Sequence, residues 1–165
     1  GLGDVYKRQI LDSDKLLPVF YAKDHLVHYY RSFHKIENIV YDESRYKVIF
    51  HYKRTFFEWV TYYDREIDRD AKRVTFNLVS QEQNVRILPE IVYSRGYFEV
   101  IPGDKKNRIV YRQEVQFKGF GNAIQRAVFI KNINDFFDSI DKYIRRLEKA
   151  YIAQKNSSAP ENPTM

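Results

Sequence analysis

Between Ile130 and Tyr151 the apolar residues Ile130, Ile133, Phe137, Ile140, Ile144, Leu147 and Tyr151 recur at alternating spacings of three and four. That is one apolar stripe along an α-helix. Phe129, Phe136 and Tyr143 widen it along one shoulder, while Lys131, Asp135, Asp138, Lys142, Arg145, Arg146 and Lys149 take the remaining surface. Gly119 and Gly121 break the chain ahead of it, and Asn122 with Gln125 three residues on fits a capping box. The stripe predicts a helix from about Ala123 to Ile152, roughly 45 Å long at about 1.5 Å per residue.

Upstream the period changes to two. Tyr46, Val48, Phe50 and Tyr52 share one face of a strand, with Lys47, His51 and Lys53 opposite. Phe57, Trp59, Thr61 and Tyr63 continue the alternation, and Val74, Phe76 and Leu78 repeat it. Further strands are expected at Ser94–Ile101 and at Arg108–Lys118, where Ile109, Tyr111, Gln113, Val115 and Phe117 share a face, with a weaker one at Val85–Leu88. Asp68-Arg69-Asp70 and Pro102-Gly103-Asp104 carry turn chemistry between them. Short links between consecutive strands imply an antiparallel meander. Residues 10–40 read as short helical pieces: Pro18 limits the first, and Asp24 could cap a second, with Leu26, Tyr29, Tyr30 and Phe33 on one side. Small helices, about six antiparallel strands and one long helix make an α+β layout.

Composition sharpens this. The 165 residues include 14 Tyr, 12 Phe, one Trp and no Cys. The length fits one domain with a real core. The lack of Cys excludes disulfides, thiolate metal sites and a cysteine nucleophile. A mean hydropathy of −0.59 and the lack of a long apolar run exclude a membrane-spanning helix. Aromatic residues at 16% exclude bulk disorder. The net charge is +6.

The two ends read differently. Asp4-Val5-Tyr6-Lys7-Arg8-Gln9 resembles the in-frame translation of a transposon end used in sequencing libraries, which marks residues 1–9 as a scar to be set aside. Residues 154–165 are polar, contain two prolines and are expected to form a disordered tail, leaving 10–153 as the domain.

The order of elements resembles the START-like helix-grip superfamily, which includes the Bet v 1-like, polyketide-cyclase-like and coenzyme-Q-binding proteins. The local likeness is best from Ser94 through Gln116, with Gly96-Tyr97-Phe98, then Pro102-Gly103-Asp104, then Arg108-Ile109-Val110-Tyr111. The resemblance implies a curved sheet gripping the long helix around an elongated cavity. It also implies a first strand bonded to the last, a place the scar residues would fill. Without such a strand, the Arg108–Lys118 edge would be open to pairing with other chains.

Trp59, Thr61, Tyr63, Phe76, Tyr97, Tyr111, Gln113, Phe117 and Phe136 are the candidate cavity-lining residues. They would supply shape, apolar burial and one or two oriented hydrogen bonds. A side chain such as Gln113, buried among rings, needs a partner: a ligand oxygen, a water, or a neighbouring hydroxyl such as that of Tyr111. Any single ring is also a natural core residue.

Other constellations do not carry chemistry. His25 and His28 lie three apart beside Asp24 and His34, but with no further clustered ligand a surface reading is favoured. Asp68 with Asp70, Glu58 with Glu66, and Asp64 sit in charged loops or on outward faces. No Ser-His-Asp frame, P-loop or dinucleotide glycine pattern occurs. Lys47, Lys53, Arg54, Lys72, Arg73, Lys105, Lys106 and Arg108 lie near strand ends and turns, interrupted by Asp64, Glu66, Asp68, Asp70 and Asp104.

These readings point to non-enzymatic binding or transfer of a hydrophobic or amphipathic small molecule (lipid, isoprenoid or quinone-like). No cofactor or metal is expected. Transient contact with an anionic membrane surface fits the positive charge. The rivals are a cyclase- or dehydratase-like enzyme on the same fold and a basic nucleic-acid-binding module. The acids interrupting the basic regions disfavour the latter. The cytoplasm is the favoured compartment, and the oligomeric state is left open.

Overall fold

The structure, a computed structural model, describes residues 2–9, 11–84, 90–118 and 123–157. Seven strands form one antiparallel sheet: β1 (Leu2–Gln9), β2 (Lys35–Val40), β3 (Arg45–Arg54), β4 (Phe57–Asp68), β5 (Arg73–Gln83), β6 (Glu90–Ile101) and β7 (Asn107–Lys118). The spatial order is β1-β7-β6-β5-β4-β3-β2, so β2 to β7 are a pure meander and β1 closes the far edge against β7. Between β1 and β2 lie α1 (Ser13–Leu16), running into a 3-10 turn at Leu17–Phe20, and α2 (Lys23–Tyr29). The long helix α3 (Ala123–Ser157) follows β7.

This is the curved sheet and single long helix expected from the periodicity, with three differences of detail. Residues 35–40, read as helical, form the edge strand β2, in which Ile36 is fully buried and Glu37 and Asn38 half so, so the period-two signal is almost absent. Asp24 lies in the first turn of α2, whose N-cap is Ala22 and carries no side-chain cap bond. The long helix reaches Ser157, about 52 Å from its start, and so runs four residues into the segment read as tail. The strand expected at 85–88 and the capping box at Asn122 lie outside the described residues.

The core forms where α3, the N-terminal helices and the sheet meet. Phe137, Ile140, Tyr143 and Ile144 of α3 are buried, as are Leu16, Leu17, Val19, Phe20, Leu26 and Tyr29 beneath them. Phe20 stacks on Phe98 of β6 with centroids 4.8 Å apart, and the Tyr29 hydroxyl donates to the Val19 carbonyl at 2.6 Å. Each such fully buried side chain contributes about 1.5–3 kcal/mol.

Gly96 explains part of the local motif. A Cβ there would lie 2.0 Å from the Arg112 carbonyl oxygen and 2.7 Å from the Phe76 ring. The β7 backbone and a core aromatic therefore approach where only glycine leaves room.

The sheet bends at irregularities. One register shift falls between Tyr62 and Tyr63 opposite β5, another between Ile91 and Tyr93 opposite β7. Such bulges sharpen twist and re-aim side chains. The β5–β6 ladder covers only Arg73–Asn77 against Arg95–Glu99. Beyond it Gln81 Oε1 accepts from the Ile91 backbone N–H at 3.4 Å.

Candidate functional site: the ring-lined end of the grip

Burial on the inner face of the sheet is graded. At the end covered by α1 and α2, Tyr46, Val48, Ile67, Val74, Phe98 and Val100 are buried. Toward the other end, Tyr52, Phe57, Trp59, Tyr63, Leu78, Val115 and Phe117 point inward yet are only half-buried, as are Ile133 and Phe136 of α3. Rings in van der Waals reach of one another run through this region. Trp59 stacks on Tyr52 at 4.5 Å, Tyr63 meets Phe50 and Phe76 edge-on near 6 Å, and Phe136 tilts against Tyr30 at 4.8 Å.

Of the nine candidate residues, Thr61, Phe76 and Tyr111 are buried on the inner face, and Trp59, Tyr63, Gln113 and Phe117 are half-buried on it. Phe136 is half-buried on α3 and packs on the core. Tyr97 does not join them. It lies between Gly96 and Phe98, so when Phe98 points inward Tyr97 points out, and the Arg73 guanidinium sits 4.6 Å over its ring. Arg73 in turn pairs with Glu99 at 3.0 Å.

A polar thread crosses the rings. The Tyr111 hydroxyl donates to Gln113 Oε1 at 2.5 Å, Gln113 Nε2 donates to Ser94 Oγ at 2.9 Å, and the Tyr63 hydroxyl donates to the same Oγ at 3.4 Å. Gln113 thus finds its partners within the protein. Burial pushes the Tyr63 and Tyr111 hydroxyls above their ordinary range, which keeps them neutral donors.

Besides Ser94, Asn38 and Asn107, three inward polar residues fall outside the candidates. Arg65, only 4% exposed, occupies the inward position between Tyr63 and Ile67. Its Nη1 donates to the Phe20 carbonyl at 3.0 Å and its Nη2 to the Tyr30 hydroxyl at 3.2 Å. The guanidinium also lies 5.5 and 5.8 Å from the Phe50 and Phe76 ring centres. Among the described residues it has no carboxylate partner, and its Nε has no acceptor. Gln81 and Gln83 are the others. The bulge at Tyr62/Tyr63 shifts parity, so that Thr61 faces Gln81 and Trp59 faces Gln83. Trp59 Nε1 and Gln83 Oε1 are both buried and both lack a hydrogen-bond partner.

The remaining candidates resolve into structural contacts. His25 Nδ1 lies 2.7 Å from the Tyr143 hydroxyl, and His28 stacks on the Tyr143 ring at 4.9 Å. Among the described residues no three His, Asp or Glu side chains cluster to hold a metal. Several cations from the strand ends are paired: Lys47 with Asp64, Lys72 with Asp14 and Arg73 with Glu99.

No protein-family model and no curated protein matches the sequence. The fold, however, is found in solved structures. A START superfamily protein from Mycobacterium smegmatis superimposes with a TM-score of 0.69 at 6% identity, covering 88% of this chain and 97% of that one. The Zhui aromatase/cyclase from Streptomyces sp. R1128 gives 0.65 at 10% identity, over 88% and 94%. A major latex-like protein from Panax ginseng gives 0.58 at 16% identity, over 87% and 96%. The chain therefore has the START-like helix-grip fold. No helix among the described residues is long and apolar enough to cross a membrane.

Proposed function

We propose that this protein binds and carries a hydrophobic or amphipathic small molecule, of lipid, isoprenoid or quinone type, between the sheet and α3. The observation that carries this reading is the pair of orphaned polar atoms at the ring-lined end: the Trp59 Nε1 donor and the Gln83 Oε1 acceptor. An unsatisfied buried donor or acceptor costs about 1–3 kcal/mol. A ligand hydroxyl, which can accept from the indole and donate to the amide, removes both costs while the rings cover its apolar body. At about 25 cal/mol per Å2, covering roughly 300 Å2 of apolar ligand supplies several kcal/mol before ordering costs.

Binding is favoured over catalysis by what the inner face offers. From β2 to β7 the described inward positions hold rings, aliphatics, Arg65, Thr61, Ser94 and amides, with no carboxylate or imidazole to move a proton. The neutral tyrosines donate hydrogen bonds rather than act as bases.

Native mass spectrometry and solvent extraction of the purified protein test the reading, followed by titration with a fatty acid, an isoprenoid alcohol and a quinone. Trp59 is the single tryptophan, so its fluorescence reports occupancy directly. A bound apolar molecule at one per chain is expected, and Gln83→Leu, which removes the orphaned acceptor, weakens the isoprenoid alcohol relative to the quinone. A protein that stays empty against all three overturns it.

A further inference from the structure

Away from the ring-lined end, Arg31, Lys142, Arg145, Arg146 and Lys149 line a shallow groove of about 400 Å3 with no acid among its lining residues. Four of these cations recur on α3 at steps of three, one and three, which places them on one face, about 10 Å long from Lys142 to Lys149. Arg31 comes from the segment after α2 and is held by its Nε donating to the His28 carbonyl at 3.1 Å. Arg145 bonds Asp141 at 2.9 Å, whereas Arg31, Lys142, Arg146 and Lys149 form no ion pair among the described residues.

The helix dipole does not account for this stripe. Its influence fades within the last turn, and the stripe ends eight residues before Ser157. Ile152, one step of three beyond Lys149 on the same helix, is 47% exposed, and Val27 on α2 is 47% exposed. From Lys149 onward every described residue of α3 is exposed, so the basic face and its apolar margin are uncovered together.

We propose that this face of α3, with Arg31 and Val27, docks on an anionic lipid surface. Lipid phosphates neutralise the cations, and Val27 and Ile152 enter the boundary between headgroups and acyl chains. A second copy of the chain would oppose like charge to like. A nucleic acid would leave Val27 and Ile152 against phosphate and water. The inference goes beyond a ligand held inside the fold and does not depend on it.

Co-sedimentation of the full chain with vesicles is the test, using phosphatidylcholine alone or mixed with phosphatidylglycerol. Binding is expected only to the mixed vesicles. Lys142→Gln with Lys149→Gln weakens it by about fivefold for each cation removed. Lys47→Gln with Lys53→Gln, the same charge change on the outer face of β3, leaves it unchanged. Ile152→Ser lowers the fraction retained at high salt, where screening leaves the apolar part. Equal binding to both vesicles, equal loss in the two double variants, or retention on RNA without retention on vesicles overturns the proposal. Because the interior ligand is read separately by native mass spectrometry, an empty interior leaves this test intact, and failure here leaves that reading intact.

Discussion

Arg65 donates to the Phe20 carbonyl at 3.0 Å, tying the middle of β4 to the end of the 3-10 turn that closes the floor of the core. This guanidinium is buried with two neutral hydrogen-bond partners and no counter-ion among the described residues. Desolvation of such a charge costs several kcal/mol, while each charge-assisted bond returns about 1.5–3 kcal/mol. The two nearly offset. Arg65→Met leaves the buried Phe20 carbonyl without its donor and is expected to lower the unfolding free energy in urea by about 1–3 kcal/mol.

Gly96→Ala is expected to be severe. The new methyl would press on the Arg112 carbonyl, which is backbone and cannot rotate away, as well as on Phe76. Overpacking of this kind costs about 3 kcal/mol, so the urea midpoint should fall sharply. A milder loss would show that β6 and β7 can part at this point.

His25 gives a pH dependence. Burial first, then the neighbouring His28, holds its imidazole below the ordinary value of 6.5. In the unfolded chain His25 takes up its proton near pH 6.5, while in the folded protein it does so only at lower pH. Stability should therefore rise with pH across the window from the lowered folded value up to about 6.5, and its contribution should be complete above that. Thermal unfolding between pH 5 and 7.5 checks this. His25→Gln, which still reaches the Tyr143 hydroxyl, should flatten that part of the slope.

The pairing of β1 with β7 runs from Leu2↔Gln113 to Gln9↔Asn107. Removing residues 1–9 should expose the β7 amides to rapid hydrogen exchange and cause concentration-dependent association through the open edge. Protection of Asn107–Gln113 that survives the truncation would mean that the edge is covered without β1.

Much of the architecture was legible because long elements repeat their period often. The stripe from Ile130 to Tyr151 passes through six helical steps, and β3, β4 and β7 alternate over ten residues or more. β2 was not legible, since only Ile36 of its six residues is fully buried. The site was partly legible. Strand parity puts Trp59, Thr61, Tyr63, Tyr111 and Gln113 on the inner face, where they lie in the structure, whereas Tyr97 alternates with the inward Phe98 and points out. Arg65 shares the parity of Tyr63 and Ile67, so its inward position was available from the sequence. A charged side chain at a core-facing position runs against the hydrophobic pattern, since arginine is almost never fully buried. Gln81 and Gln83 were hidden for a different reason: a bulge changes which alternate residues face inward, and bulges leave no simple mark in hydrophobic pattern.

The graded burial of the inner face has a consequence for how such a chain can diversify. Folding free energy is concentrated where Phe20, Phe98, Val74 and Ile144 interlock, while Tyr52, Trp59, Leu78 and Phe117 contribute less because water already reaches them. Exchanges at the second set can therefore reshape the ring-lined end without passing through an unfolded intermediate genotype. A library restricted to those four positions should yield mostly folded proteins, whereas the same diversity at the first four should yield mostly aggregates.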